Sequence, residues 1–157
     1  MSKSVVKVEV KAMLPTPGGC AVFLGNDTKS FVIYIDEAIG EAISMAIKQI
    51  SRERPQTHDL IAQMLKGLGA KVERVVINEV HDAVFFARLI LSMENELYQR
   101  KIVELDARPS DSIAIAAQVR APIYVSSDVW EEVEDMTETL KKVQSGLGGQ
   151  GDSLDGP

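Results

Sequence analysis

The chain has 157 residues, 45% hydrophobic and 25% charged, with a formal net charge of -6. That balance is ordinary for one globular domain with a real core, and it excludes the disordered, collagenous and membrane-spanning classes. The acidic excess counts against broad electrostatic binding to nucleic acid, because phosphate contacts need Lys and Arg to displace counterions.

Taken in chain order, residues 5–12 predict a strand, with Val6, Val8, Val10 and Ala12 facing one way and Lys7, Glu9 and Lys11 the other. The same alternation leaves no continuous apolar stretch for a signal peptide. Pro15, Pro17, Gly18 and Gly19 then break the chain. Two short apolar runs, 20–25 and 31–35, are joined by Gly25-Asn26-Asp27-Thr28, a hairpin signal. Cys20, the single cysteine, lies in the first run and reads as a small buried hydrophobe. With no internal disulfide to form, a cytoplasmic setting is expected.

A helix is predicted from Glu37 to Ser51, with Asp36 as N-cap and Ile39, Ile43, Ala46, Ile47 and Ile50 at helical spacing. Pro55 separates it from a second helix capped by Thr57, whose stripe is Leu60, Ile61, Met64, Leu65 and Leu68. Gly67 and Gly69 suit its end. Strands follow at 71–80, 84–92 and 98–105, the middle one apolar enough to be covered on both faces. Pro109 fits the first turn of a further helix. Ile123-Tyr124-Val125 predicts a short strand, and a last helix is expected from Asp128 to Val143. Residues 144–157 hold five of the eleven glycines and no periodicity, so the expected division is a domain over 1–143 and a disordered Gly-rich tail over 144–157.

The pattern predicts an α+β fold, with mixed or antiparallel sheets and covering helices. It also hints at a duplicated β-β-β-α unit at an offset of 70. Ile33-Tyr34-Ile35-Asp36 aligns with Val103-Glu104-Leu105-Asp106, Glu41 with Asp111, Ile43 with Ile113 and Ala46 with Ala116. Two such half-sheets could join under shared helices.

The sharpest chemical segment is Leu105-Asp106-Ala107-Arg108-Pro109-Ser110-Asp111-Ser112. It sets two carboxylates, a guanidinium and hydroxyls at a strand-to-helix junction, where backbone N–H groups can meet an anion. Asp106 and Asp111 could hold a hard divalent cation such as Mg2+ or Mn2+. A metal-bound water would then attack a phosphodiester. Arg108 could grip the phosphate. The plainer role is also open: Asp and Ser cap helices, and Arg108 can pair with Asp106 or Asp111 to brace the turn. On chemistry alone that plainer role leads.

A second segment, Arg54-Pro55-Gln56-Thr57-His58-Asp59, offers His58 as a base with Asp59 to orient it. It too reads as an ordinary helix start. His81-Asp82 reads as a hairpin turn. The charge is uneven: Lys48, Arg52, Arg54, Lys66, Lys71 and Arg74 crowd residues 48–74, which allows a local basic patch or simply a solvated surface. No P-loop, paired Cys-x-x-Cys, His-Glu-x-x-His or Gly-x-Ser-x-Gly motif is present.

The runs Arg54-Pro55-Gln56-Thr57-His58-Asp59-Leu60, Leu68-Gly69-Ala70, Asp106 through Ala114, and Ala121-Pro122-Ile123-Tyr124-Val125 together resemble the bifunctional nuclease family over about residues 5–135. The resemblance implies a compact α+β fold, frequent dimers, and DNase and RNase activity best attached to longer plant relatives. It directs attention to Arg54, Thr57, His58, Asp59, Asp106, Arg108, Ser110 and Asp111. The chain departs from the family at His81-Asp82-Ala83, which lacks the usual glycine, and at Met93-Glu94-Asn95-Glu96, a longer and more acidic loop.

Two functions are therefore expected, with a small-anion sensor on which Arg54 and Arg108 converge as a third and weaker one. In a metal-dependent nuclease, Asp106 and Asp111 would bind metal, His58 and Asp59 would act as base and partner, and Arg54, Thr57, Arg108 and Ser110 would hold substrate. In a non-catalytic binding or assembly module, the same residues would be caps and salt bridges. A homodimer is expected in either case, nucleic acid is disfavoured by net charge, and no membrane contact is expected. The deciding question is whether segments 54–59 and 106–111 share one cleft.

Overall fold

The computed structural model describes residues 4–149. Seven strands and five helices alternate as β1 (Val5–Thr16), β2 (Gly19–Gly25), β3 (Ser30–Ile35), α1 (Glu37–Ile47), α2 (Thr57–Gly67), β4 (Ala70–His81), β5 (Val84–Glu94), β6 (Arg100–Ala107), α3 (Pro109–Val119), β7 (Ile123–Ser126), α4 (Ser127–Glu132) and α5 (Thr137–Gly149). The α+β class is as the patterning predicts. One mixed sheet runs in the order β3-β2-β1-β7-β4-β5-β6. Its parallel pairing is β4 with β7. A β-β-β-α order does occur twice, as β1–α1 and as β4–β6 with α3, α2 intervening. A shared order of elements is not in itself proof of duplication.

β1 belongs to both halves of the sheet. Its first residues, Val5 to Val8, pair with β7, and those from Glu9 onward pair with β2. A bulge between Val10 and Ala12 follows just after the changeover. β1 runs four residues further than the pattern predicts and passes through Pro15. Pro15 lies beyond the β7 pairing, so its missing N–H removes no ladder bond on that side.

Side-chain alternation sorts the core. Val22 and Leu24 of β2, Phe31 and Ile33 of β3, Val75 and Ile77 of β4, and Ala87 and Leu89 of β5 share one buried cluster with Ile43 of α1 and Ile113 of α3. Ala21 and Phe23 point the other way, into a smaller cluster with Leu140 of α5. β2 is thus covered on both faces.

Several boundaries move from expectation, each for a local reason. α1 stops at Ile47, because Gln49 takes a left-handed φ of 58°. The cap of α2 is Gln56 rather than Thr57: the Gln56 N–H donates to Asp59 Oδ2 at 2.9 Å. Only Ile61 and Leu65 of the α2 stripe pack on the core, while Leu60, Met64 and Leu68 are exposed. The single last helix is in fact two. Val133 turns extended, the Met136 N–H donates to the Ser30 carbonyl of β3, and Asp135 caps the new helix through the Thr137 N–H. Hydrogen bonds from the Thr137 hydroxyl and N–H hold the Asp135 carboxyl below its usual range, though desolvation opposes them. α5 also carries helix to Gly149, into the segment expected as tail; residues 150–157 lie outside the described residues. Among the described residues no helix is long and apolar enough to cross a membrane.

The β4–β5 turn is built on Asp82 and Ala83, with φ of 49° and 65°. Two positive φ values are what a two-residue hairpin loop requires, and Ala has no means of relieving its Cβ clash there. Ala83→Gly is therefore expected to raise unfolding stability by roughly 1 kcal/mol in urea titration. An unchanged or lower midpoint would contradict the strained turn.

α1 crosses β2 at close range. A Cβ built on Gly40 would lie 2.8 Å from Cys20 Cβ and 3.1 Å from its Sγ. Burial of this kind also pushes the Cys20 thiol up from its ordinary value. Helix propensity alone would make Gly40→Ala stabilising by about 1 kcal/mol. The packing predicts the opposite sign, a loss of about 1–3 kcal/mol, measurable as a lowered melting temperature.

Candidate active site

The ends of β3 and β6 lie together, since Arg108 Nη1 reaches within 4.0 Å of Asp36 Oδ2. α1 leaves from one end and α3 from the other, and α2 packs beside α3. Between the three helices lies a cavity of about 540 Å3. Its apolar wall is Ala38, Ile39, Ala42, Met45, Ile50 and Ile61, and its polar side is Arg52, Gln56, Thr57, His58, Asp59, Arg108, Asp111 and Gln118. The two motif segments thus meet in one cleft.

Asp111 is the centre of this cleft. Its Oδ1 lies 2.9 Å from His58 Nε2, and its Oδ2 accepts from Arg108 Nε at 2.7 Å. Burial alone would raise its carboxyl. The Arg108 and His58 hydrogen bonds and charges outweigh that effect and hold it below the ordinary carboxylate range. The same contact, first as hydrogen bond and then as charge, raises the Arg108 guanidinium. The His58 side chain is 14% exposed and Asp111 31%. A carboxylate only accepts, so Nε2 is assigned the proton, and Nδ1 is left as the basic nitrogen. Nδ1 makes no hydrogen bond to a described residue.

Asp59 does not orient His58. It accepts from the Gln56 N–H and from Gln118 Nε2, the latter at 2.6 Å. It ties the start of α2 to the last turns of α3, and Asp111 supplies the orientation instead. Arg52 lines the cleft and lies 3.5 Å from Glu41. Arg54 is exposed and lines neither of the two main cavities. Thr57 sits at the exposed rim of the cleft. Ser110 is buried and faces a second, larger cavity.

Asp106 requires a correction. It pairs in register with Arg88, next to the Ala87–Ala107 pair. Ala87 faces the helices in the main core, so Asp106 points to the opposite face of the sheet from Asp111. Both Asp111 oxygens already hold cationic or N–H partners, whereas Mg2+ or Mn2+ needs several oxygen ligands. Among the described residues no cluster of three or more His, Cys, Asp or Glu could hold a metal. The expected Asp106–Asp111 metal pair therefore does not fit this arrangement. The acidic loop after β5 sits at the other end of β6 from Arg108, about 20 Å away along the strand. Its charge does not bear on the cleft.

Sequence reasoning missed Arg52 and Gln118 as site residues. Arg52 was visible within the basic run, and Gln118 lies seven residues after Asp111, on the same face of a helix.

The fold and this cleft define an α+β domain that displays a His–carboxylate–Arg cluster between three helices. The family model described as "Bifunctional nuclease domain" matches residues 22–138. The chain belongs to that family. An uncharacterized protein of Mycobacterium tuberculosis is 34% identical over 104 residues, which cover 66% of this chain and 58% of that protein. "Bifunctional nuclease 1" of Oryza sativa subsp. japonica is 33% identical over 82 residues, covering 52% of this chain and 24% of the rice protein. "Bifunctional nuclease 1" of Arabidopsis thaliana is 34% identical over 82 residues with the same coverage. The matched region spans under two thirds of each of these relatives.

The lowered Asp111 carboxyl sets a pH dependence. A depressed folded value contributes stability above the unfolded value, near 4, and loses it as pH falls through the folded value. Asp111→Asn is expected to cost about 1–2 kcal/mol at neutral pH. It should also give a shallower loss of stability below about pH 4 than the parent chain shows. Parallel acid limbs in the two proteins would contradict the clamp.

Proposed function

We propose that this domain cleaves phosphodiesters in nucleic acid, with His58 as general base and no metal in the step. The observation that carries the reading is the fixed imidazole: Asp111 holds Nε2 at 2.9 Å, Arg108 holds Asp111, and all three line one cleft. His58 Nδ1 takes the proton from the attacking oxygen, the ribose 2′-hydroxyl in RNA or a water in DNA. The new P–O bond forms as the bond to the 5′-oxygen breaks, and that oxygen collects a proton from solvent. The Arg108 Nη groups and Arg52 offset charge gathering on the phosphoryl oxygens. RNA is the easier substrate because its nucleophile is internal. The family and the plant relatives named as nucleases support the reaction class.

A second reading also has a specific observation behind it. Asp111 of α3 bonds to α2 and Asp59 of α2 bonds to α3, so the motif can serve simply to bolt two helices together. The two readings part in one experiment. The full chain is incubated with single-stranded RNA and DNA in EDTA and in Mg2+. Cleavage is expected in EDTA, and His58→Ala should slow it by about 10²–10⁴-fold, the usual weight of a general base. Absence of cleavage, or equal rates in the variant, leaves the helix-bolting role. Cleavage only with added metal would overturn the metal-free step.

A further inference from the structure

The larger cavity, about 910 Å3, lies on the other side of Arg108 from the cleft, between β3, the β4–β5 turn, the start of α3 and the α4–α5 link. It is at the upper end of the range for small-molecule sites. One end is the N-terminus of α3, an 11-residue helix. Pro109 has no N–H, and the first intrahelical bond runs from the Ser112 N–H to the Arg108 carbonyl. The Ser110 and Asp111 N–H groups precede it and are left for an anion. Beside them is the Ser110 side chain, 8% exposed, facing the cavity. Its hydroxyl has no hydrogen-bond partner among the described residues. That hydroxyl is open to the cavity and is free to bond a ligand that enters it. Arg108 stands at the same end, its Nε committed to Asp111 and its Nη groups directed toward Asp36.

The remaining walls select what is attached to the anion. Val80, Val84, Phe85 and Met136 give apolar and aromatic surface, backed by Phe31 and Ile33 of the core. The Phe85 ring rests on buried Phe31, tilted by 30° with centroids 5.8 Å apart. Carboxylates of Asp36, Asp82, Glu132 and Glu134 also line the cavity, with Asp36 at the Arg108 end and balanced by that guanidinium. They only accept hydrogen bonds, so they favour a body that carries N–H or O–H donors and disfavour a second anionic group. An anionic head, a flat apolar body and peripheral donors together describe a nucleoside monophosphate.

We propose that this cavity binds a mononucleotide, with phosphate on the α3 N-terminus, Ser110 and Arg108, and base against Phe85 and its apolar neighbours. Calorimetric titration of the full chain with AMP, adenosine, inorganic phosphate and decyl phosphate tests it. AMP is expected to bind at least about tenfold more tightly than each of the others, since only it fills both ends of the site. Ser110→Ala should weaken AMP about fivefold, the value of one neutral hydrogen bond. Val84→Trp, at an exposed wall residue that does not line the smaller cleft, should block AMP without unfolding the chain. No AMP binding, or equal affinity for AMP and phosphate, overturns the proposal. Tighter binding of decyl phosphate would reassign the cavity to lipid phosphates and overturn it too. Unchanged AMP affinity in both variants would place the nucleotide elsewhere. Cleavage is not read in this titration, so its outcome stands apart from the nuclease reading.

Discussion

Four residues, Ile123 to Ser126, hold the two halves of this molecule in one sheet. They pair antiparallel with the first part of β1 and parallel with β4. Ile123 and Val125 are buried in the main core, so the seam is sealed by packing as well as by the ladder. β3 and β6 are the opposite edges of that sheet, and it curls far enough to bring Phe31 of β3 to Phe85 of β5 and the ends of β3 and β6 together, so that α1 and α3 depart side by side. The contact of Arg108 with Asp36 follows from that placement. So does the cleft, because α2 packs against both β4 and the flank of α3 beside that contact.

Within the cleft one carboxylate organises its surroundings. Asp111 is reached from α2 by His58 and from its own helix start by Arg108. Each partner bears on the others. Arg108 helps keep Asp111 ionised, and ionised Asp111 fixes the imidazole tautomer. The same geometry takes Asp111 out of use as an open metal ligand. Arg108 also lines two cavities, the cleft between α1, α2 and α3 and the larger chamber against β3 and the β4–β5 turn. Glu73 shows a comparable clamp elsewhere in the sheet. The Ser92 hydroxyl bonds it, Arg100 pairs with it at 2.8 Å, and its carboxyl sits below the ordinary range despite desolvation. That pair lies at the start of β6, remote from Arg108, and its role is to pin the edge strand.

The strands, the helix over Glu37, the helix at Pro109 and the two polar segments that meet in the cleft were all legible in the residues. Period-two and period-3.6 patterning carry that information locally. What failed to show was where a pattern ends. Pro15 looked like a stop because proline usually is one, yet it stands where β1 has a free side. The helix drawn from Asp128 to Val143 has a continuous stripe, but the Met136–Ser30 bond and the Asp135 cap break it. Neither partner of that bond is near the other in sequence.

By itself, then, the sequence determined the class of fold, the family, and the two stretches that hold the polar groups, because these rest on local spacing and residue type. Only the tertiary structure decided which of those groups meet. Asp106 and Asp111 are five residues apart and face opposite sides of a sheet, while His58 and Asp111 are 53 apart and hydrogen-bonded. The physical reason is that strand alternation and helix packing set direction in space, and separation along the chain does not.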